Sequence, residues 1–308
     1  MRLCAVSVDL DEIHHYHAIH GLPAPDPARA HPVYDRAVDR FLAFAAEHAI
    51  PLTFFAVASD ALRAENAERL KRALAAGHEL GSHSKDHLYD LVRRSELEQR
   101  EQVEGALAIF EHALGMRPRG FRAPGYTVSD QLLAVVAAAG HAYDSSVFPC
   151  PSYYAAKAVA VTALRVRGRR SQSILDAPGV LSAPRQPYRI GTPYYRRGTG
   201  LPELPIQVTR GPRLPYIGTG LVLAGDLGAR ALTELVIGEP FINLELHGID
   251  LLGREDELDA LIGYQPDARS SVRRKQRIFA AQLRRLKRAG YRFVRLDEMA
   301  RALRADPS

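Results

Sequence analysis

Apolar and polar positions along this chain follow two alternating periods. Residues 3–8 form a compact apolar run of strand length that ends on Asp9, Asp11 and Glu12. The stretch 13–32 breaks the pattern: it holds His14, His15, His17, His20 and several prolines, and it reads as an irregular loop lying over a site entrance. Within 34–47, Val38, Phe41, Leu42 and Ala45 recur at helical spacing, and 51–57 reads as a buried strand. A helix over 66–76 closed by Gly77 and a short strand over 78–81 come next. A longer helix over 95–114 opens on Ser95-x-x-Glu98, a capping box, and stops at Gly115 and Pro118. Residues 120–126 are a short strand running into a turn, 129–139 are helical again, and 142–146 end another strand.

This alternation predicts a parallel sheet with helices packed outside it and a polar cluster at the C-terminal end of each strand, where such sheets build their sites. From 147 to about 204 the pattern lapses into Pro, Tyr and Arg with only 153–166 helical, and the segment reads as an insertion. Strand signals resume at 205–208 and 241–246, the latter delivering His247. A basic amphipathic helix over 272–288 precedes Gly290 and a last strand over 292–296. No internal repeat or long linker interrupts the chain, so residues 1–308 are expected to form a single catalytic domain.

Composition changes this picture little. The chain has 308 residues, 46% hydrophobic and 25% charged, as in an ordinary globular protein. An excess of 41 Lys+Arg over 35 Asp+Glu permits contact with phosphate or an anionic membrane without demanding either, and no nucleic acid is expected. Two cysteines, Cys4 and Cys150, are too few for a disulfide framework. With no signal peptide or apolar run of membrane-spanning length visible, a cytoplasmic location is expected. Two stretches leave the inner membrane face open as a docking surface: the apolar, basic-ended 153–170 and the weakly charged 214–223. Burial of both against the barrel is the alternative.

Candidate chemistry centres on His83 and His87. Four residues apart, they project from one face of a helical turn and can share a metal ion. A carboxylate from the N-terminal acidic cluster would complete three ligands and leave an open position. Asp9-x-Asp11, Thr53-Phe54-Phe55, His83-Ser84-x-x-His87, Arg122-x-Pro124, Asp144-Ser145-Ser146 and Leu246-His247 together resemble, in order, the motifs of the polysaccharide deacetylase family, the NodB-homology carbohydrate esterases.

The resemblance implies a distorted (β/α) barrel of about seven strands and a metal-dependent hydrolase that removes an N-acyl group, acetyl in most members, from an amino sugar or glycan. It implies a divalent ion (zinc, or else cobalt or nickel) on Asp11, His83 and His87, with Asp9 as base and Arg122 orienting it. It further implies His247 as general acid, Asp144 as the orienting carboxylate, and a backbone N–H after Pro124, that of Gly125, for the oxyanion, with Tyr126 beside it. Two departures stand out. Asp9-Leu10-Asp11-Glu12 replaces the adjacent Asp-Asp-Gly, similar to intracellular and lipid-linked-sugar members, and Gly125-Tyr126 replaces Tyr-Gly. Glu12 is a second candidate ligand, though strand alternation points it away from Asp9. A lipid-linked substrate, deformylation or hydrolysis of another non-peptide amide, and a catalytically silent sugar-binding barrel all stay open, as do the oligomeric state and the role of the four loop histidines.

Overall fold

A computed structural model describes residues 2–166, 168 and 171–305. The chain runs β1 (Arg2–Asp9), α1 (Ile13–Ile19), a π-helical turn (Val33–Val38) flowing into α2 (Asp39–Glu47), β2 (Thr53–Ala56), α3 (Ala64–Ala75) and β3 (Glu79–Ser82). It continues with α4 (Glu96–Leu114), β4 (Gly120–Phe121), α5 (Asp130–Ala138), β5 (Tyr143–Asp144), α6 (Pro151–Val166), β6 (Tyr188–Ile190) and β7 (Arg197–Glu203). Last come α7 (Gly218–Val236), β8 (Phe241–His247), α8 (Asp259–Ile262), α9 (Val272–Arg288), β9 (Tyr291–Phe293) and α10 (Leu296–Ala305).

The strands form one curled, open sheet in the order β6-β7-β5-β4-β3-β2-β1-β8, with β9 also paired to β1. Every pairing is parallel except β6 with β7. This is an α/β fold of the distorted barrel type, with nine strands among the described residues where about seven were expected. Local signals did what their chemistry predicts. Ser95 caps α4 with the reciprocal Glu98 contact, and Gly115 takes the left-handed conformation at its end. On α9, Ile278, Phe279, Leu283 and Leu286 turn inward against the main core, and its arginines face out.

Three expectations need correction. The stretch after Glu12 is not wholly irregular: α1 forms there, with the Glu12 side chain accepting from Ile13 N, because Ile13 and Tyr16, three residues apart, share one buried face. The segment 147–204 is more than an insertion, since β7 pairs in parallel with β5 through Asp144 and Glu203 and so belongs to the sheet. Residues 205–208 in turn form no sheet strand. Pro205 has no N–H to offer, and the extended segment spans the seam between the two flanks of the sheet, Ile206 N bonding to Val147 O and Gln207 N to Asn243 O. Asn243 Nδ2 closes the same seam on the carbonyls of Leu204 and Pro205.

Candidate active site

Polar side chains at alternate positions build the site from neighbouring strand ends. On β1 and just beyond it, Ser7, Asp9 and Asp11 follow the period of two, and on β8 so do Asn243, Glu245 and His247. The strands pair in register with Ser7 opposite Glu245 and Asp9 opposite His247. Strand β3 delivers His83 directly after Ser82, beside β2 and β4.

His83 and His87 do converge, though not on a helical turn. Ser84 and His87 have φ of 67° and 54°, left-handed values that a helix excludes. A loop pinned to its surroundings holds them instead: His83 N bonds to Ala56 O, Ala58 N to Ser84 O, and Lys85 N to Gln102 O. Asp11 Oδ1 lies 3.3 Å from His83 Nε2 and 3.2 Å from His87 Nε2. Burial favours the neutral acid, but the two imidazoles hold the Asp11 carboxyl well below the usual carboxylate range.

These three residues fit a divalent ion. Their ligand atoms all lie within 4.8 Å of one another and are buried. Asp11 Oδ1 and His87 Nε2 lack hydrogen-bond partners, a costly state for buried polar atoms with nothing to bind. His83 Nδ1 contacts Arg122 O at 2.8 Å; a carbonyl only accepts, so the proton sits on Nδ1 and the Nε2 lone pair faces the cluster. Glu12 is excluded from this set by its position: its carboxylate accepts from Ile13, Val33 and Tyr34 backbone N–H groups.

Asp9 stands at the edge of the triad, its Oδ2 3.8 Å from His83 Nε2. Its other oxygen receives Arg122 Nη1 at 2.6 Å. Arg122 is wholly buried, and every arm is fixed: Nε donates to Ser145 O, Nη2 to Ser7 Oγ and Ser145 Oγ, and the guanidinium carbon stacks 4.2 Å from the Phe55 ring centroid. A planar, permanently charged fork in such a cage sets the orientation of the Asp9 carboxylate.

Across the cleft stands His247. Its Nδ1 lies 2.9 Å from Glu245 Oε1 and its Nε2 3.0 Å from the Tyr126 hydroxyl. Burial works against a charged imidazole, but the Glu245 carboxylate, with Asp9 and Asp11 adding to the field, raises His247 well above its ordinary value. The backbone behind His247 is fixed too, since its N–H donates to Asp250 Oδ2 and the buried Lys275 ammonium bonds Ile249 O and Asp267.

Glu245 is the residue that the sequence reading missed, and Asp144 occupies a different place from the one expected. Asp144 accepts from Ser146 N and Ser146 Oγ, and Ser146 Oγ in turn accepts from Ala123 N. It therefore braces the backbone next to Arg122, while the carboxylate on His247 is Glu245. Gly125 sits in a turn over Pro124–Tyr126 with φ of 62°, and a Cβ there would come within 3.0 Å of the Tyr89 ring. Of the four histidines after Glu12, His15 packs its ring 4.2 Å from that of His87, His14 stacks on His15, and His20 lies against Tyr264. His17 Nδ1 contacts Pro23 O.

Asp9, Asp11, His83, Gly125, Tyr126 and His247 open on one cleft of about 390 Å³, whose outer wall is lined from α6 and the start of α7. The two apolar stretches lie there. The first forms α6, with Val159 and Val166 exposed; Arg167, Arg169 and Arg170 lie outside the described residues. The second runs into α7, where Leu221 and Val222 are buried and Leu223 and Leu227 are exposed. Among the described residues, no helix is long and apolar enough to cross a membrane.

A family model described as polysaccharide deacetylase matches residues 31–143. No curated protein matches the chain. Among solved structures, a putative polysaccharide deacetylase from Mycobacterium smegmatis aligns at 18% identity over 99% of this chain and 91% of its own, with a TM-score of 0.60. A peptidoglycan N-acetylglucosamine deacetylase aligns at 15% identity over 96% and 87%, with a TM-score of 0.50. A mutant of a CE4-family pseudoenzyme with restored enzymatic activity, its wild type from Bacillus anthracis, aligns at 14% identity over 97% and 67%, with a TM-score of 0.50. At these identities the likeness is one of fold.

Proposed function

From the match of residues 31–143 to the polysaccharide deacetylase family model and the geometry of the site, we propose that the chain is a metal-dependent hydrolase that removes an N-acetyl group from an amino sugar or glycan. The observation that carries this reading is the pairing, across one cleft, of a three-ligand cluster with an imidazole kept charged by its own carboxylate. We take zinc as the ion; cobalt and nickel satisfy the same N/O donor set. Bound by Asp11, His83 and His87, it supplies Lewis-acid polarisation of the amide carbonyl and lowers the pKa of water.

The chain's own residues do the rest. Asp9, aimed by Arg122, accepts the proton of the attacking water. The N–H of Gly125 receives the oxygen that becomes negative at the tetrahedral stage. His247 then gives the proton on Nε2 to the departing amine, and Glu245 keeps it available at neutral pH. A silent sugar-binding barrel needs no such tuned acid. Deformylation uses the same groups, so N-formyl and N-acetyl substrates are compared in the same assay.

The test measures turnover of N-acetylated amino-sugar oligomers together with metal content. Asp9→Asn keeps its metal and loses turnover by about 10²–10⁴-fold, the usual weight of general base catalysis. His83→Ala loses metal and turnover together. Equal metal loss in both variants would remove Asp9 from the role of base, and metal-loaded wild type without turnover on any acylated sugar would leave the silent barrel.

The reading extends to location. Leu223 on α7 lines the cleft, and Val159 and Val166 on α6 and Leu227 on α7 are exposed on the two helices that contribute to its wall; they support contact with an anionic membrane surface from the cytoplasmic side, with a lipid-carried sugar as substrate.

A further inference from the structure

The segment between β5 and β6 sends one cation into the cleft. Much of α6 is small and exposed, as at Ala155, Val159, Ala160 and Ala163. Lys157 instead turns inward, and among the described residues lining the cleft it is the only lysine or arginine. Its Nζ donates to Gly125 O at 3.1 Å and lies 5.6 Å from the Tyr153 ring centroid. Among the described residues no carboxylate comes within ion-pair distance of it. Asp176 is the one acidic group whose field reaches it; its Oδ1 accepts from Tyr194 Oη and Ala177 N, and its Oδ2, buried and without a hydrogen-bond partner, makes no ion pair with Nζ.

An ammonium group has three N–H donors, and one neutral carbonyl uses one of them. The charge is meanwhile poorly hydrated: loss of water pushes Lys157 down to about 8, with Asp176 opposing only in part. Methionine would fill the same wall without that cost, so holding the position with lysine is explained by a partner that arrives with the ligand. The cleft, at about 390 Å³, has the size of a small-molecule site, and Lys157 lines it together with Asp9, Asp11 and His83.

We propose that Lys157 forms an anion subsite of the cleft, so that the amino sugar carries a carboxylate or phosphate that pairs with Nζ while its N-acyl group reaches Asp11, His83 and His87. This rests on the hydrolase reading for the identity of the sugar. It does not rest on it for the anion. Ser152, Ser173 and Gln265 line the same space and supply further donors and acceptors to sugar hydroxyls.

The experiment compares kcat/KM on three N-acetylated sugars: a neutral methyl glycoside, a sugar 1-phosphate and a hexuronate. A charge-assisted hydrogen bond contributes roughly 1.5–3 kcal/mol, so wild type should favour one anionic sugar over the neutral one by about 10–100-fold. Whether the phosphate or the carboxylate wins identifies the anion. Lys157→Met should collapse the anionic-to-neutral ratio toward one through KM, and Lys157→Arg should keep much of it. A wild type without preference overturns the proposal. So does a Lys157→Met variant that loses kcat equally on all three sugars, because that is the signature of a lysine that only steadies the Gly125 turn. Calorimetry with the deacetylated 1-phosphate gives an independent readout: binding lost in Lys157→Met while wild type turns over nothing would uphold the anion subsite and sink the hydrolase reading. No binding by wild type would count against the subsite.

Discussion

Replacing Glu245 by glutamine tests the acid of the site with a change of almost no volume. Glu245 is fully buried on β8, two residues before His247, with Oε1 2.9 Å from Nδ1. Burial alone would make the imidazole neutral, and the Glu245 carboxylate is the first of the groups that reverse this. An opposite charge at such a distance moves a pKa by about 1–3 units, or roughly 1.4–4 kcal/mol. Glu245→Gln should therefore move the alkaline limb of kcat/KM, where His247 loses its proton, down by about 1–3 pH units. Above the wild-type limb the variant should be slower by about 10–1,000-fold, and the gap should close below its own limb. Stability follows the same sign. A histidine raised in the folded state contributes stability that is full below its unfolded value of about 6.5 and is lost as pH rises through the raised folded value, so the variant's deficit in Tm should shrink toward alkaline pH. A pH–rate profile, NMR titration of the His247 ring and metal analysis read all three. An unmoved alkaline limb, or loss of metal in the variant, would refute the assignment of Glu245 as the group that keeps the acid charged.

Tyr126→Phe removes the hydroxyl 3.0 Å from His247 Nε2 and should lower kcat by about 5-fold, the weight of one hydrogen bond, with metal content intact; an unchanged kcat would make that contact incidental. Sedimentation with anionic liposomes should show salt-sensitive binding that Leu227→Asp weakens, as the exposed residues of α7 lead us to propose, and absence of binding to the liposomes would overturn membrane contact.

Much of the site can be read in the sequence because strand period carries it. Ser7, Asp9 and Asp11, and Asn243, Glu245 and His247, interrupt apolar runs at alternate positions, the signature of one polar face. Applied to β8 as it was to β1, the same rule points to Glu245. The conformation of the His83 loop is another matter. Left-handed φ at Ser84 and His87 is imposed by bonds to Ala56, Ala58 and Gln102, partners that become neighbours only after the chain has folded. Asp144 was misplaced for a similar reason, since its surroundings depend on Glu203 of β7, a strand whose exposed Arg197–Thr199 and interior glycines lack the apolar pattern of the others. Lys157 carries no local signal at all: nothing in an alanine-rich helix says that one side chain will overhang a cleft assembled from β1, β3 and β8.

The register of β1 on β8 connects these observations to chemistry. Seven residue pairs, Leu3 with Phe241 through Asp9 with His247, set the alignment, and the last pair places the base opposite the acid. Parallel neighbours stand about 4.8 Å apart, too close for a substrate to lie between the two backbones, so the two side chains must diverge above the sheet edge to flank it. The restraints on each supply that divergence. Arg122 draws Asp9 toward β4 and the triad, while Glu245 and Asp250 hold His247 on the β8 side against Tyr126. A slip of one residue would turn Asp9 or His247 to the opposite face together with every apolar partner in its strand, so the burial of Cys4, Val6 and Val8 that fixes the register also keeps the base and acid in opposition.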